Sequence, residues 1–115
     1  MACLTKIEAI IPPSAFARTK QALAELGLEA MTVLEVYGPA PRGGRHLVFR
    51  GHQYRADLVP NIKIELVVNS DCVDEAVDAI VDGCAFEKSG VAKVFLSPVE
   101  DALRIRNQQV GVAAL

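Results

Sequence analysis

The stretch Phe86–Phe95 reads FEKSGVAKVF and sets Gly90 and Lys93 just before an apolar run. A phosphate group is held well by backbone N–H groups that glycine lets converge and by a lysine that meets the charge. Lys88 adds a cation to the same stretch, and Arg104 and Arg106 follow at alternate positions. Guanidinium forks bind phosphate oxygens in pairs, so these residues together could offset a polyphosphate. The plain reading is a helix-to-strand turn followed by a surface pair of arginines. Which reading holds depends on the elements that carry these residues.

The chain uses one design twice. KIEAII at Lys6–Ile11 recurs as KIELVV at Lys63–Val68, and at the same offset Phe16 falls on Val73 and Ala22-Leu23 on Ala79-Ile80. Each copy opens with an alternating, β-branched strand, Ile7–Ile11 and Ile62–Val68. A polar break follows, where Ser14 and Asp71 (or Ser70) are the expected N-caps. Helical spacing then runs from Phe16 through Thr19 and Leu23 to Leu26, and from Val73 through Ala76, Val77, Ile80 and Val81 to Cys84. Gly27 and Gly83 stand where these helices should stop. A second strand closes each copy, Ala30–Tyr37 and Val94–Val99. The order βαββαβ predicts an α+β, ferredoxin-like domain with both helices on one face of a four-stranded sheet. Ala9, Ile11, Leu66 and Val68 suggest that the other face is apolar as well, and such a face is expected to be covered by further copies of the chain.

Between the copies lies YGPAPRGGRHLVFRGHQYRADLVP, Tyr37–Pro60. Its glycines and prolines break any helical period, and a connection this long is commonly functional. It is either an irregular loop or an extended hairpin turning at Gly51. In both cases Arg42, Arg45, Arg50 and Tyr54 are offered to a partner protein.

The bulk numbers narrow the class. The 115 residues fit one domain, with 51% apolar and 23% charged residues. A net charge of −2 gives no general attraction for nucleic acid or an anionic membrane. Cys3, Cys72 and Cys84 lie among apolar residues and lack CxxC spacing, which suggests buried free thiols in a reducing compartment. MACLTKIEAII lacks the charged region of a signal peptide, and no apolar run nears the roughly 20 residues of a membrane span. The simplest setting is the cytoplasm, without membrane insertion. No Ser/His/Asp or paired-carboxylate arrangement stands out, although Glu35 and Glu65 on strands could face a cleft.

KIEAII with its helix, MTVLEVYG, RGHQY, DLVPNIKIE, GVAKVF and ALRIR stand in the order and spacing of one family, and the sequence resembles the PII signal-transduction proteins over nearly its whole length. The resemblance implies a single domain over residues 1–115, a homotrimer, and no enzymatic activity. It implies a protruding T-loop at about 37–60, a phosphate-contacting B-loop at about 85–93 and a C-terminal segment at 100–115. ATP, ADP or AMP would bind in clefts between subunits, and the T-loop would dock on a transporter, enzyme or regulator, in nitrogen or related metabolism. Carried over residue by residue, Gly90 and Lys93 match the B-loop glycine and lysine, with Lys88 beside them. Arg104 and Arg106 match arginines that reach the phosphates from a neighbouring subunit, Thr32 and Val67 line the adenine pocket, and Gly38 opens the T-loop.

The chain also departs from the family. Where the family reads T-G-x-x-G-D-G-K it has F-E-K-S-G-V-A-K, so Phe86, Glu87 and Ala92 alter the loop. Arg42 stands at the glutamine that helps hold Mg and 2-oxoglutarate, and Asn61 at the lysine that pairs with 2-oxoglutarate. Those two changes argue against the standard Mg-ATP and 2-oxoglutarate response. Tyr54 holds the place of a tyrosine that some members carry as a uridylylation site, with altered neighbours. Two other classes compete with a nucleotide-reading regulator. One is an interaction module that answers a metal through His46, His52 and the thiols; the other is an enzyme hydrolysing ATP slowly in the same cleft.

Overall fold

A computed structural model describes residues 3–39, 45–49, 52–56, 58–88 and 90–115, with the side chains of 45–49 and 52–56 left aside. In chain order these form β1 (Leu4–Ile11), α1 (Phe16–Glu25), β2 (Thr32–Pro39), β3 (Arg45–Phe49), β4 (His52–Ala56), β5 (Leu58–Asn69), α2 (Val73–Gly83) and β6 (Lys93–Val99). A four-stranded antiparallel sheet takes the order β2-β5-β1-β6, and β3 pairs with β4 in a separate two-stranded sheet. The expected βαββαβ arrangement is present, with the hairpin inserted at its midpoint.

The repeat explains the core. Ile7, Ala9 and Ile11 of β1 and Ile64, Leu66 and Val68 of β5 are all buried beneath the helices, in one cluster with Leu23, Ala76 and Ile80. Burying each Ile or Leu side chain contributes roughly 1.5–3 kcal/mol. Positions related by the repeat, Leu23 and Ile80 or Thr19 and Ala76, are buried alike. This corrects one expectation. Ala9, Ile11, Leu66 and Val68 face the helices, because side chains alternate across a strand. The opposite face of the sheet instead carries Lys6, Glu8, Lys63 and Glu65, joined in ion pairs.

Helix starts differ from the predicted caps. A 3-10 turn, Pro13–Ala15, leads into α1, whose N-cap Ala15 has no side-chain acceptor. The Ser14 hydroxyl donates to the Glu87 carboxylate instead. Before α2 a second 3-10 turn, Ser70–Cys72, is capped by Asn69, whose side-chain oxygen accepts from the Asp71 N–H at 3.1 Å. The cysteine expectation is also revised: Cys3 is exposed, Cys72 and Cys84 are half-buried, and all three are free thiols.

The hairpin alternative for the insertion is the one observed. Arg45 pairs with Ala56 and Phe49 with His52, while β2 and β5 stay paired out to Pro39 and Leu58. The molecule measures 60 × 29 × 20 Å with a radius of gyration of 17.3 Å. A compact domain of this length would have about 13 Å, so part of the chain stands out from the body. Arg45 and Tyr54 lie on the hairpin strands; Arg42, Arg50 and the turn at Gly51 lie outside the described residues.

Gly27 and Gly83 are glycines for different reasons. Gly27 follows α1 at φ 76°, the left-handed value that ends helices. Gly83 is buried where α2 crosses α1, and a Cβ there would lie 2.9 Å from the Thr19 Cα. The two backbones touch, so Gly83→Ala must push the helices apart. We expect it to lower stability by about 1–3 kcal/mol, the usual cost of overpacking, measured by urea unfolding. Gly27→Ala costs about 1 kcal/mol through backbone strain alone.

Candidate functional site

Most of the residues singled out in the sequence gather on the open face of the sheet, in two cavities. The larger, about 550 Å³, is lined by Gly38 at the end of β2, Asn61 and Lys63 of β5, and Gly90 and Lys93 before β6. Gly90 takes φ 74° with open space around it, so the glycine serves the backbone turn rather than a close contact. Gly38 serves the opposite need, since a Cβ there would sit 3.0 Å from the Asn61 amide nitrogen. Asn61 is buried, 4% exposed, directly against Gly38 at the end of β2. Lys93 opens β6 opposite Ile10 and lines the same cavity as Lys63.

The loop entering this cavity is tied to α1 through the residues that set the chain apart from the family pattern. Phe86 lies under the Arg18 guanidinium, 5.3 Å from ring centroid to Cζ, and Arg18 Nε donates to the Gly83 carbonyl at 3.3 Å. Glu87 accepts from Ser14, and its backbone N–H bonds the Cys84 carbonyl at 3.0 Å. Burial pushes the Cys84 thiol up in pKa, only partly offset by its contact with the Thr19 hydroxyl. The thiol therefore stays protonated and packs rather than reacts.

The smaller cavity, about 360 Å³, is lined by Thr32, Val67 and Arg104 together with Lys6 and Glu65. Arg104 and Arg106 do not alternate along a strand as their spacing suggests. Ile105–Asn107 form a turn, closed by a 2.8 Å bond from the Gln108 N–H to the Arg104 carbonyl. Arg104 consequently faces the cavity, whereas Arg106 and the exposed Lys88 line neither one.

Between the cavities lies a square of charge. Lys6–Glu8 and Lys63–Glu65 close at 2.8 and 2.9 Å along their strands, and Lys6–Glu65 and Lys63–Glu8 cross between strands at 3.7 and 3.6 Å. The Glu8 hydrogen bond to Lys6 lowers its carboxyl pKa, and carboxylate bonds raise those of Lys6 and Lys63. Tyr37, beside the larger cavity, donates to Glu35 at 3.1 Å, which raises the phenol pKa. Sequence reasoning missed Lys6 and Lys63 as cavity residues, whereas Asn61 was singled out and does line the larger cavity. The signal was there in the repeated Lys-x-Glu at Lys6–Glu8 and Lys63–Glu65, charges set every second position in otherwise apolar strands. Among the described residues no group of three His, Cys, Asp or Glu side chains is gathered as a metal site requires.

These features define a ferredoxin-like α+β domain with two cation-bearing cavities on its open sheet face. A family model described as Nitrogen regulatory protein P-II matches residues 4–109. Proteins of that name from Rhodobacter capsulatus and Cereibacter sphaeroides are 39% and 41% identical over 112 residues, 97% of this chain and 100% of theirs. Nitrogen regulatory protein P-II 1 of Escherichia coli is 39% identical over the same coverage. Among solved structures, Arabidopsis thaliana PII bound to citrate superposes with a TM-score of 0.78 at 28% identity, covering 99% of this chain and 94% of that one. B. subtilis GlnK shares the fold with a TM-score of 0.79 at 23% identity, covering 99% and 100%. The chain belongs to the nitrogen regulatory protein P-II family and is a signal-transduction regulator. No helix among the described residues is long and apolar enough to cross a membrane.

The charge square makes a pH prediction. Glu8 has a lowered folded pKa, so its contribution is present above the ordinary carboxylate range and is lost as pH falls through the lowered value. Lys6 and Lys63 have raised pKa values, so theirs is present below the ordinary lysine range and lost as pH rises through the raised ones. The melting temperature of Glu8→Gln should lie below wild type near neutrality and converge on it as pH falls through the lowered Glu8 pKa. A gap of constant size across that range would show that the square does not stabilise the fold.

Proposed function

We propose that this chain acts as a homotrimeric adenylate sensor. One domain spans residues 1–115, with a T-loop at 37–60, a B-loop at 85–93 and a C-terminal segment at 100–115. ATP, ADP or AMP binds where Gly38, Gly90 and Lys93 of one subunit meet Thr32, Val67, Arg104 and Arg106 of its neighbour, with Lys88 at the rim. The observation that supports this reading is the division of the site into two cavities on one chain, each lined by three of the eight expected contacts. Polyphosphate charge would be met by Lys93 and by arginine forks, and the adenine ring would lie against Thr32 and Val67.

The ligand biases the T-loop because Gly38, at its base, presses on Asn61 within the same cavity. A nucleotide with different affinity for two T-loop conformations shifts their populations. The T-loop, with Arg42, Arg45, Arg50 and Tyr54, then engages a partner protein, a transporter or enzyme of nitrogen or related metabolism. Tyr54 is a candidate modification site on that surface. The protein acts without catalysis of its own, in the cytoplasm.

Mg and 2-oxoglutarate are not part of this reading. Asn61 offers an uncharged amide where a lysine would pair with the acid, and it is already buried beneath Gly38.

Calorimetric titration with ATP, ADP and AMP, each with and without Mg and 2-oxoglutarate, tests the assignment. We expect adenylate binding with no gain from 2-oxoglutarate. Lys93→Ala and Arg104→Ala should each weaken it about tenfold or more, on the scale of one lost charge-assisted hydrogen bond. Unchanged affinity in both variants overturns the site. Light scattering should return three copies per particle.

A further inference from the structure

The segment after β6 folds back on itself in a defined way. Leu103 pairs with Val110, the Arg104 N–H donates to the Gln109 carbonyl at 2.9 Å, and Gln108 takes φ 60° at the reversal. The Gly111 N–H is then held between the Ala102 carbonyl at 3.0 Å and the Asp101 carboxylate at 3.1 Å. Gly111 is buried at φ 66°, a conformation suited to glycine, and it starts a last 3-10 turn, Gly111–Ala114. That turn delivers Ala114 and Leu115 to the wall of the cavity shared by Thr32, Val67 and Arg104.

The Arg104 side chain meets the tail there. Its Nε donates to the Ala114 main-chain oxygen at 3.3 Å, and a terminal nitrogen donates to the Leu115 main-chain oxygen at 2.5 Å. Nε and a terminal N–H form one edge of the guanidinium, the edge that takes two oxygens of a carboxylate or phosphate side by side. The tail presents two oxygens to that edge. Leu115, 37% exposed, also lines the adjoining cavity together with Leu28 and Cys72, and this partly covered side chain is the tail's apolar anchor.

Resting on the nucleotide reading above, we propose that residues 113–115 are a built-in competitor for Arg104. They hold the guanidinium fork where the phosphates of an adenine nucleotide would take it, and nucleotide binding requires their release. The two main-chain oxygens on this exposed arginine carry less negative charge than a polyphosphate, so the tail yields to the ligand and weakens it rather than excluding it. Apparent affinity equals the intrinsic affinity multiplied by the fraction of molecules in which the fork is open. The tail thereby sets the nucleotide concentration to which the sensor responds.

The test compares the full chain with one stopped after Val112, which keeps the Gly111 hydrogen bonds, and with Leu115→Gly, which loosens only the anchor. Each is titrated with ATP and with inorganic tripolyphosphate, in both the wild-type and the Arg104→Ala background. The shortened chain should bind both ligands about fivefold tighter or better, Leu115→Gly should shift the same way by less, and neither change should matter once Arg104 is gone. If the full and shortened chains bind ATP equally, or the shortened chain binds more weakly, the competitor is overturned and the nucleotide site stands. If no chain binds ATP, the nucleotide reading falls and takes the competitor with it.

Discussion

The antiparallel register between β1 and β5 is the constraint on which the rest of the molecule depends. It sets Ile7 opposite Leu66, Ala9 opposite Ile64 and Ile11 opposite Ile62, so the apolar residues of both repeats enter one core. The same register sets Glu8 directly opposite Glu65, a like-charge pair that is unfavourable by itself. Lys6 and Lys63 repair this by bridging both carboxylates from either side. A slip of one residue would send the charges beneath the helices and the apolar residues outward, which burial forbids. Core and charge square thus enforce the same pairing from opposite faces.

From that register follows the placement of the cavities. Strand residues that face away from the helices line the cavities, and on β1 and β5 these include Lys6, Lys63, Glu65 and Val67. The outer strands complete the walls: β2 contributes Thr32 and Gly38, while the segment leading into β6 contributes Gly90 and Lys93. The same strands that carry the core therefore carry the cavity walls, and β2 and β5 stay paired out to Pro39 and Leu58.

Helix packing reaches the site by another route. Gly83 allows α1 and α2 to touch, and the chain leaves α2 straight into the loop that holds Gly90. Phe86 on Arg18 and Glu87 on Ser14 fasten this loop to α1 and to the 3-10 turn before it. Two of the replacements that depart from the usual glycine-rich loop, Phe86 and Glu87, are therefore engaged in the fold of this chain.

The internal repeat made the βαββαβ order, the antiparallel sheet and most of the core legible from the sequence alone, since alternation and helical spacing are local properties that the side chains themselves impose. The glycine–lysine loop and Arg104 were legible as candidates because phosphate chemistry demands those residue types. The face each strand residue takes was not legible: KIEAII and KIELVV are apolar at nearly every position that is not Lys or Glu, and only packing against the helices decided that Ala9, Ile11, Leu66 and Val68 go inward. Nor could spacing show that Arg104 and Arg106 part company at a turn, or that Ser14 reaches Glu87 rather than capping its own helix. Those outcomes rest on contacts between residues far apart in the chain, and such contacts exist only once the fold has brought them together.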